Sequence, residues 1–195
     1  MSHDPDRHAR RSIRLRGYDY AQPGAYFITV CVRNRECALG DIVEASVGAH
    51  GGAPISDDRD NMVRMELSPY GRIAADAWDR SEDMRDEIEL DAFIVMPNHI
   101  HGVVIIRNGR AHRRAPLPSD TYHRKPRSLG SFIAGFKTAT TIRINATRGT
   151  PGQPFWQRNY YEHVIRTEAA LARAREYIAM NPRQWHLDQE HPRNR

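Results

Sequence analysis

Ala25-Tyr26-Phe27-Ile28-Thr29-Val30-Cys31-Val32-Arg33 runs almost continuously through apolar, β-branched and aromatic residues, with the turn signal Gln22-Pro23-Gly24 just before it. A run of that type predicts a central strand over 25–33, and the fold begins there. C-terminal to it, 39–43 and 62–67 predict the arms of a hairpin, split by a Gly-, Ser- and Asp-rich loop at 48–60 with no apolar period. Ser68-Pro69 opens a helix in which Ile73, Ala74, Ala77, Trp78 and Met84 recur at three- and four-residue spacing. Asp79, Glu82, Asp83, Asp86 and Glu87 make its outer face acidic and unsuited to a nucleic acid. Two strands follow at 93–96 and 100–106, joined by the turn Pro97-Asn98. A basic, polar connection at 108–127 leads to a second helix over 128–147, with Leu129, Phe132, Ile133, Phe136 and Ile144 on one stripe. Residues 159–166 predict a further strand. Thr167 then starts a last helix through Leu171, Ala174, Tyr177 and Ile178, which must stop near Asn181-Pro182 because proline cannot continue it.

Strand, hairpin, helix, strand, strand, helix, strand, helix is the order of an α+β, ferredoxin-like sandwich: a split β-α-β-β-α-β plan with a hairpin insertion and an extra C-terminal helix. One domain at 25–182 contains it, between a basic N-terminal arm at 1–24 and a basic C-terminal tail at 183–195. A chain of 195 residues fits a single core that needs no metal or disulfide staple. No apolar run approaches the roughly 20 residues that span a bilayer. The N-terminus carries arginine instead of the apolar core of a secretory signal, so the cytoplasm is the expected compartment. There Cys31 and Cys37 are expected to stay reduced, and neither is given a function. The net charge of +5 comes almost wholly from arginine, whose planar fork suits phosphate oxygens. Arginine usage also follows genome composition, so placement has to decide whether a polyanion is the partner.

The chemistry concentrates in two places. In Met96-Pro97-Asn98-His99-Ile100-His101-Gly102, two histidines stand two residues apart at the start of a strand, so their side chains share one face and both imidazoles can reach one ion. The last helix carries Tyr177 and, four residues on, Asn181, a phenol and an amide about one turn apart. Each feature alone has an ordinary reading: a hydrogen-bonded surface His pair, a packed aromatic, a helix stop. Together they matter. Their order and spacing resemble those of the REP-associated tyrosine transposases, a branch of the single-tyrosine transposases named for a His-hydrophobic-His motif. The resemblance is carried by Tyr18-Asp19-Tyr20 with Gln22-Pro23-Gly24-Ala25-Tyr26-Phe27, by the histidine segment, and by Ser128-Leu129-Gly130. It continues through Phe155-Trp156-Gln157-Arg158-Asn159-Tyr160-Tyr161-Glu162-His163 and through Glu176-Tyr177-Ile178 to Asn181-Pro182.

The resemblance implies that His99, His101 and Asn181 hold a divalent ion, Mg²⁺ or Mn²⁺, and that Tyr177 on the extra helix is the nucleophile. It implies cleavage of single-stranded DNA through a covalent 5′-phosphotyrosine, on hairpins of the kind found in REP-like repeats, by a monomer, with a dimer as the other arrangement. Tyr160 and Tyr161 are rival nucleophiles. The basic segments offer DNA contacts: Arg11, Arg14, Arg16 and Tyr18 to unpaired bases, and Arg113, Arg114, Arg124, Lys125 and Arg127 to the backbone, with Arg158 and His163 as further candidates. Two other functions stay open at this point. One is a sheet that binds single-stranded nucleic acid without cutting it; the other is a hydrolytic metalloenzyme that uses the histidines with no covalent step.

Overall fold

The computed structural model describes residues 18–44, 63–107 and 127–194. The loop expected at 48–60 and most of the arm and of the basic connection lie outside them. In chain order the elements are β1 (Gly24–Cys31), β2 (Gly40–Glu44), β3 (Val63–Leu67), α1 (Pro69–Asp83), β4 (Ile88–Met96), β5 (His99–Ile106), α2 (Leu129–Arg148), β6 (Tyr161–Ile165) and α3 (Glu168–Met180). β4, β5, β1 and β6 form an antiparallel sheet in that spatial order, and β2 pairs with β3 as a separate hairpin. This is the α+β, ferredoxin-like plan predicted from the sequence, with the hairpin inserted after β1 and α3 added at the end. β4 is longer than expected because it starts at Ile88, before a register shift between Leu90 and Phe93.

Alternation along the strands sorts the side chains into two layers. Tyr26, Ile28 and Val30 of β1 and Ile100, Val104 and Ile106 of β5 are buried in the larger core, together with Ala74 and Trp78 of α1 and Leu129, Phe132, Ile133 and Phe136 of α2. Gly102 lies in the middle of that face. A Cβ there would come within 2.4 Å of the Trp78 ring, so the missing side chain is what lets the indole lie on the sheet, stacked on Phe93 at 4.4 Å between centroids. Met84, placed on the α1 stripe by its spacing, is the C-cap residue and is 72% exposed. Trp156 belongs to the core as well; its indole N–H donates to Thr140 Oγ1 at 2.7 Å.

On the opposite face a smaller core of Val103, Ile165, Leu171 and Ile178 holds α3 against the sheet. Thr167 caps α3 by accepting from Ala170 N, and Arg175 donates to both oxygens of Asp91 on β4, at 2.9 and 2.6 Å. Ser68 caps α1 in the same manner, with Pro69 in the first turn, where no amide partner is needed. The β4–β5 turn is locked from outside the sheet: Val32 N donates to Asn98 O and Leu39 N to Pro97 O. Gly102→Ala forces the Trp78 ring out of its place. It is expected to lower unfolding free energy by about 1–3 kcal/mol, seen as a lower urea midpoint at unchanged slope; an unchanged midpoint would contradict this packing.

Candidate active site

β5 begins at the turn, and its register with β1 sets Cys31 opposite His99 and Thr29 opposite His101. Since Ile100 and Gly102 face the helical core, His99 and His101 face the other way, toward α3. His99 is fully buried and His101 nearly so. Each Nδ1 has its own partner at 2.9 Å: Asn98 Oδ1 for His99 and Thr29 Oγ1 for His101. Asn98 uses its Nδ2 to donate to the carbonyls of Arg35 and Glu190, so its Oδ1 is left to accept from the His99 ring. With Nδ1 carrying the proton, the His99 Nε2 lone pair is free, and it points at His101 Nε2 from 2.9 Å. Two imidazole nitrogens converging this way, each oriented from behind, are arranged as metal ligands are.

Asp188 completes the group. Its Oδ2 lies 3.9 Å from His99 Nε2 and 3.7 Å from His101 Nε2, and the three side chains form a buried set that can bind a metal ion. Asn181, the residue one turn beyond Tyr177, is 2% exposed and donates through Nδ2 to Asp188 Oδ2 at 2.9 Å. Its Oδ1 is buried and has no hydrogen-bond partner among the described residues. Two imidazole nitrogens and a carboxylate whose ligand atoms lie within 4.8 Å of one another are a donor set that fits a divalent cation, and Asn181, hydrogen-bonded to that carboxylate, leaves its amide oxygen unused.

Tyr177 stands at the rim, 42% exposed, with its hydroxyl 3.5 Å from His101 Nε2 and 3.4 Å from Asp188 Oδ2. Partial burial, and then the Asp188 charge, push its pKa up to about 12, so the phenol is neutral at rest. Burial alone would raise the Asp188 carboxyl, but the adjoining His101 ring and the hydrogen bonds from the Asn181 amide and the Glu190 N–H outweigh it and hold the group well below the usual carboxylate range. Burial, followed by the neighbouring His101, keeps His99 well below the ordinary imidazole value. At neutral pH the centre is therefore a carboxylate, a neutral His99 ring and a protonated phenol.

Asp188 escaped the sequence reading because it lies in the segment expected only to be a basic tail. A short 3₁₀ turn, Trp185–Leu187, folds that segment back over the histidines, with the Trp185 ring 5.8 Å from that of His99. Arg35 forms an ion pair with Glu190, and Cys31 Sγ donates to the same carboxylate. The available signal was small: Asp188 and Glu190 are the acidic residues among 183–195, and they follow an aromatic. Cys31 and Cys37 are free thiols.

The rival tyrosines part company in space. Tyr160 packs with the helical core, under the Lys137 ammonium at 5.7 Å, whereas Tyr161 lies on the histidine side of the sheet with its ring 6.4 Å from that of Phe27. Of the candidate DNA contacts, Arg11, Arg14, Arg16, Arg113, Arg114, Arg124 and Lys125 lie outside the described residues. Tyr18 packs its ring 4.9 Å from Tyr20 and its hydroxyl 3.5 Å from that of Tyr26. Arg127 and Arg158 are exposed, Arg127 with φ 60° just before the α2 cap.

No protein-family model matches the sequence. An uncharacterized protein of Haemophilus influenzae is 33% identical over 187 residues, covering 93% of each chain. Among solved structures, the REP-associated tyrosine transposase bound to a REP hairpin superposes with a TM-score of 0.55 at 19% identity, over 90% of this chain and 76% of that one. A Deinococcus radiodurans r1 structure at 18% identity, covering 85% of this chain and 95% of that one, reaches a TM-score of only 0.39. The chain thus belongs to one family with the Haemophilus influenzae protein, and it has the fold of the REP-associated tyrosine transposase that its motifs resemble.

Proposed function

We propose that this chain is a single-strand DNA endonuclease and strand transferase that cuts hairpin repeat DNA by forming a covalent 5′-phosphotyrosine on Tyr177. The observation that carries this reading is the place of the Tyr177 hydroxyl, within 3.5 Å of both His101 Nε2 and Asp188 Oδ2 at the open rim of a buried metal-binding group. A structural tyrosine of the α3 stripe would have its hydroxyl in the apolar layer or in bulk water. Here it meets two proton acceptors while the residue keeps 42% of its surface exposed, as one that reaches an outside substrate must.

In the proposed step the Tyr177 oxygen attacks a backbone phosphorus. The O–P bond to tyrosine forms as the bond to the 3′ oxygen breaks, the phenol proton passes to an acceptor at the rim, and the leaving 3′ oxygen gains a proton as a free hydroxyl. Asp188 Oδ2, held anionic by its hydrogen bonds, and His101 Nε2 are the acceptors within reach. Because the link to tyrosine conserves the phosphodiester, a second 3′-hydroxyl can reverse the step, and joining needs no ATP. Mg²⁺ or Mn²⁺, with His99, His101, Asp188 and Asn181 as the proposed ligands, would polarise the phosphate and offset its developing charge when bound.

Hairpin DNA as the partner is supported by the basic balance of the chain and by the REP hairpin that the similarly folded transposase binds. Tyr18, Arg127 and Arg158, with the arginines of the arm and of the 108–126 segment, are the proposed contacts, acting in a monomer. Among the described residues no helix is long and apolar enough to cross a membrane.

Labelled hairpin strands mixed with wild type and Mn²⁺ should give a protein-linked band on a denaturing gel. Tyr177→Phe should lose that band entirely while retaining DNA affinity; an adduct that survives in Tyr177→Phe would move the nucleophile elsewhere, and no adduct from wild type across several repeats would leave a binding protein. Independently, Mn²⁺ at about 100 times its dissociation constant should stabilise the fold by about 2.7 kcal/mol. Differential scanning calorimetry would show this as a higher Tm than in EDTA, a gain removed in His99→Ala and reduced in Asp188→Ala; equal Tm values in Mn²⁺ and EDTA would rule out the metal.

A further inference from the structure

The histidine face of the sheet carries aromatic residues beyond those that the cleavage step uses. Phe27 on β1 sits at its centre, with ring centroids 5.2 Å from His101, 5.8 Å from Tyr177 and 6.4 Å from Tyr161. Tyr161 opens the edge strand β6, opposite Thr29, whose hydroxyl holds the His101 ring. It is 47% exposed, and its hydroxyl has no hydrogen bond among the described residues. With its ring beside Phe27 and about half of the residue open at a sheet edge, Tyr161 presents an aromatic face to whatever lies on this side of the sheet.

Basic residue types stand on the same strand as Tyr161 and on α3. His163 lies two residues on, on the same face of β6, and is exposed. On α3, Arg175 reaches Asp91 of β4, and Tyr177, about 200° further around the helix, reaches Phe27 of β1. Arg173 stands one turn before Tyr177. Arg173 is exposed and forms no ion pair among the described residues. The aromatic surface is therefore continuous with the metal-binding group at one end, with His163 beside Tyr161 on β6 and Arg173 one turn from Tyr177.

We propose that Tyr161, backed by Phe27, is a stacking platform for one unpaired nucleobase of the DNA strand whose phosphate is held at His99 and His101. Every base offers a π-face, so stacking holds the nucleotide beside the scissile bond without reading its identity, while His163 and Arg173 lie where its backbone passes. This assigns Tyr161 to positioning, not to the nucleophilic role its neighbourhood also suggested. It rests on the proposal that single-stranded DNA occupies the site. The competing occupant is the arginine-rich segment at 1–17 of this same chain.

The test uses the full-length chain with a single-stranded flank containing 2-aminopurine at successive positions, in EDTA so that nothing is cut. One position should show quenched fluorescence on wild type and recover it on Tyr161→Ala. Affinity should fall roughly 5- to 100-fold in Tyr161→Ala and stay within about twofold in Tyr161→Phe. An abasic site at the quenched position should abolish the difference between wild type and Tyr161→Ala. Equal affinity and quenching in wild type and Tyr161→Ala, with circular dichroism showing both folded, would overturn the proposal and point to the chain's own N-terminal segment on the ring. A loss in Tyr161→Phe as large as in Tyr161→Ala would overturn it too, by making the hydroxyl the working group. Failure of the Tyr177 reading would appear separately, as an absent covalent adduct with stacking intact.

Discussion

The alternation of β5 is the constraint from which the site follows. Ile100, Gly102, Val104 and Ile106 must enter the core with α1 and α2, and Gly102 must lie under Trp78, where no other side chain fits. This fixes the register, and the register sends His99 and His101 to the other face. A slip by one residue would bury both imidazoles in the apolar layer and expose the isoleucines. The cost of such a slip is spread over the whole β1–β5 ladder, so the histidines are held by the stability of the sheet itself.

Within that frame, hydrogen bonding does what the strands cannot. A strand aims a side chain to within a rotamer; it does not choose which ring nitrogen carries the proton. Asn98, whose Oδ1 can only accept, makes that choice for His99, while Thr29 holds the His101 ring through a hydroxyl able to donate or accept; Asn98 is in turn anchored by two carbonyls on separate segments. The result is a pair of nitrogens facing each other at 2.9 Å with no apolar group able to fill the place between them. Around it the carboxylate of Asp188 and the orphaned amide oxygen of Asn181 bring the negative and polar density that two neutral imidazoles lack.

The remaining pieces arrive from far along the chain. α3 crosses the histidine face because Leu171 and Ile178 pack on Val103 and Ile165 and because Arg175 is clamped to Asp91; one turn of helix then spaces Tyr177 from Asn181. Asp188 comes round on a turn held by Glu190, which meets Arg35 and Cys31 at the far end of β1. Burial and the charge of Asp188 together keep the Tyr177 phenol protonated.

Local order along the chain was legible because it obeys short periods. The run at 25–33, the stripes of Leu129 to Ile144, the Ser68-Pro69 start and the Asn181-Pro182 stop each announce an element within a few residues, and the elements in order imply the sheet. His99 and His101 on one face follow from the same arithmetic, and the resemblance to the transposases drew in Tyr177 and Asn181. Tertiary structure alone decided that Asp188 joins the histidines, that Tyr177 meets His101 while Tyr160 turns into the core, and that Tyr161 lies open beside Phe27. Those placements have no period to betray them: they depend on where packing of α3 and the return of the last segment bring residues more than 70 positions apart, as from His101 to Tyr177, and contacts at such separation are set by the folded core, not by the neighbours in the chain.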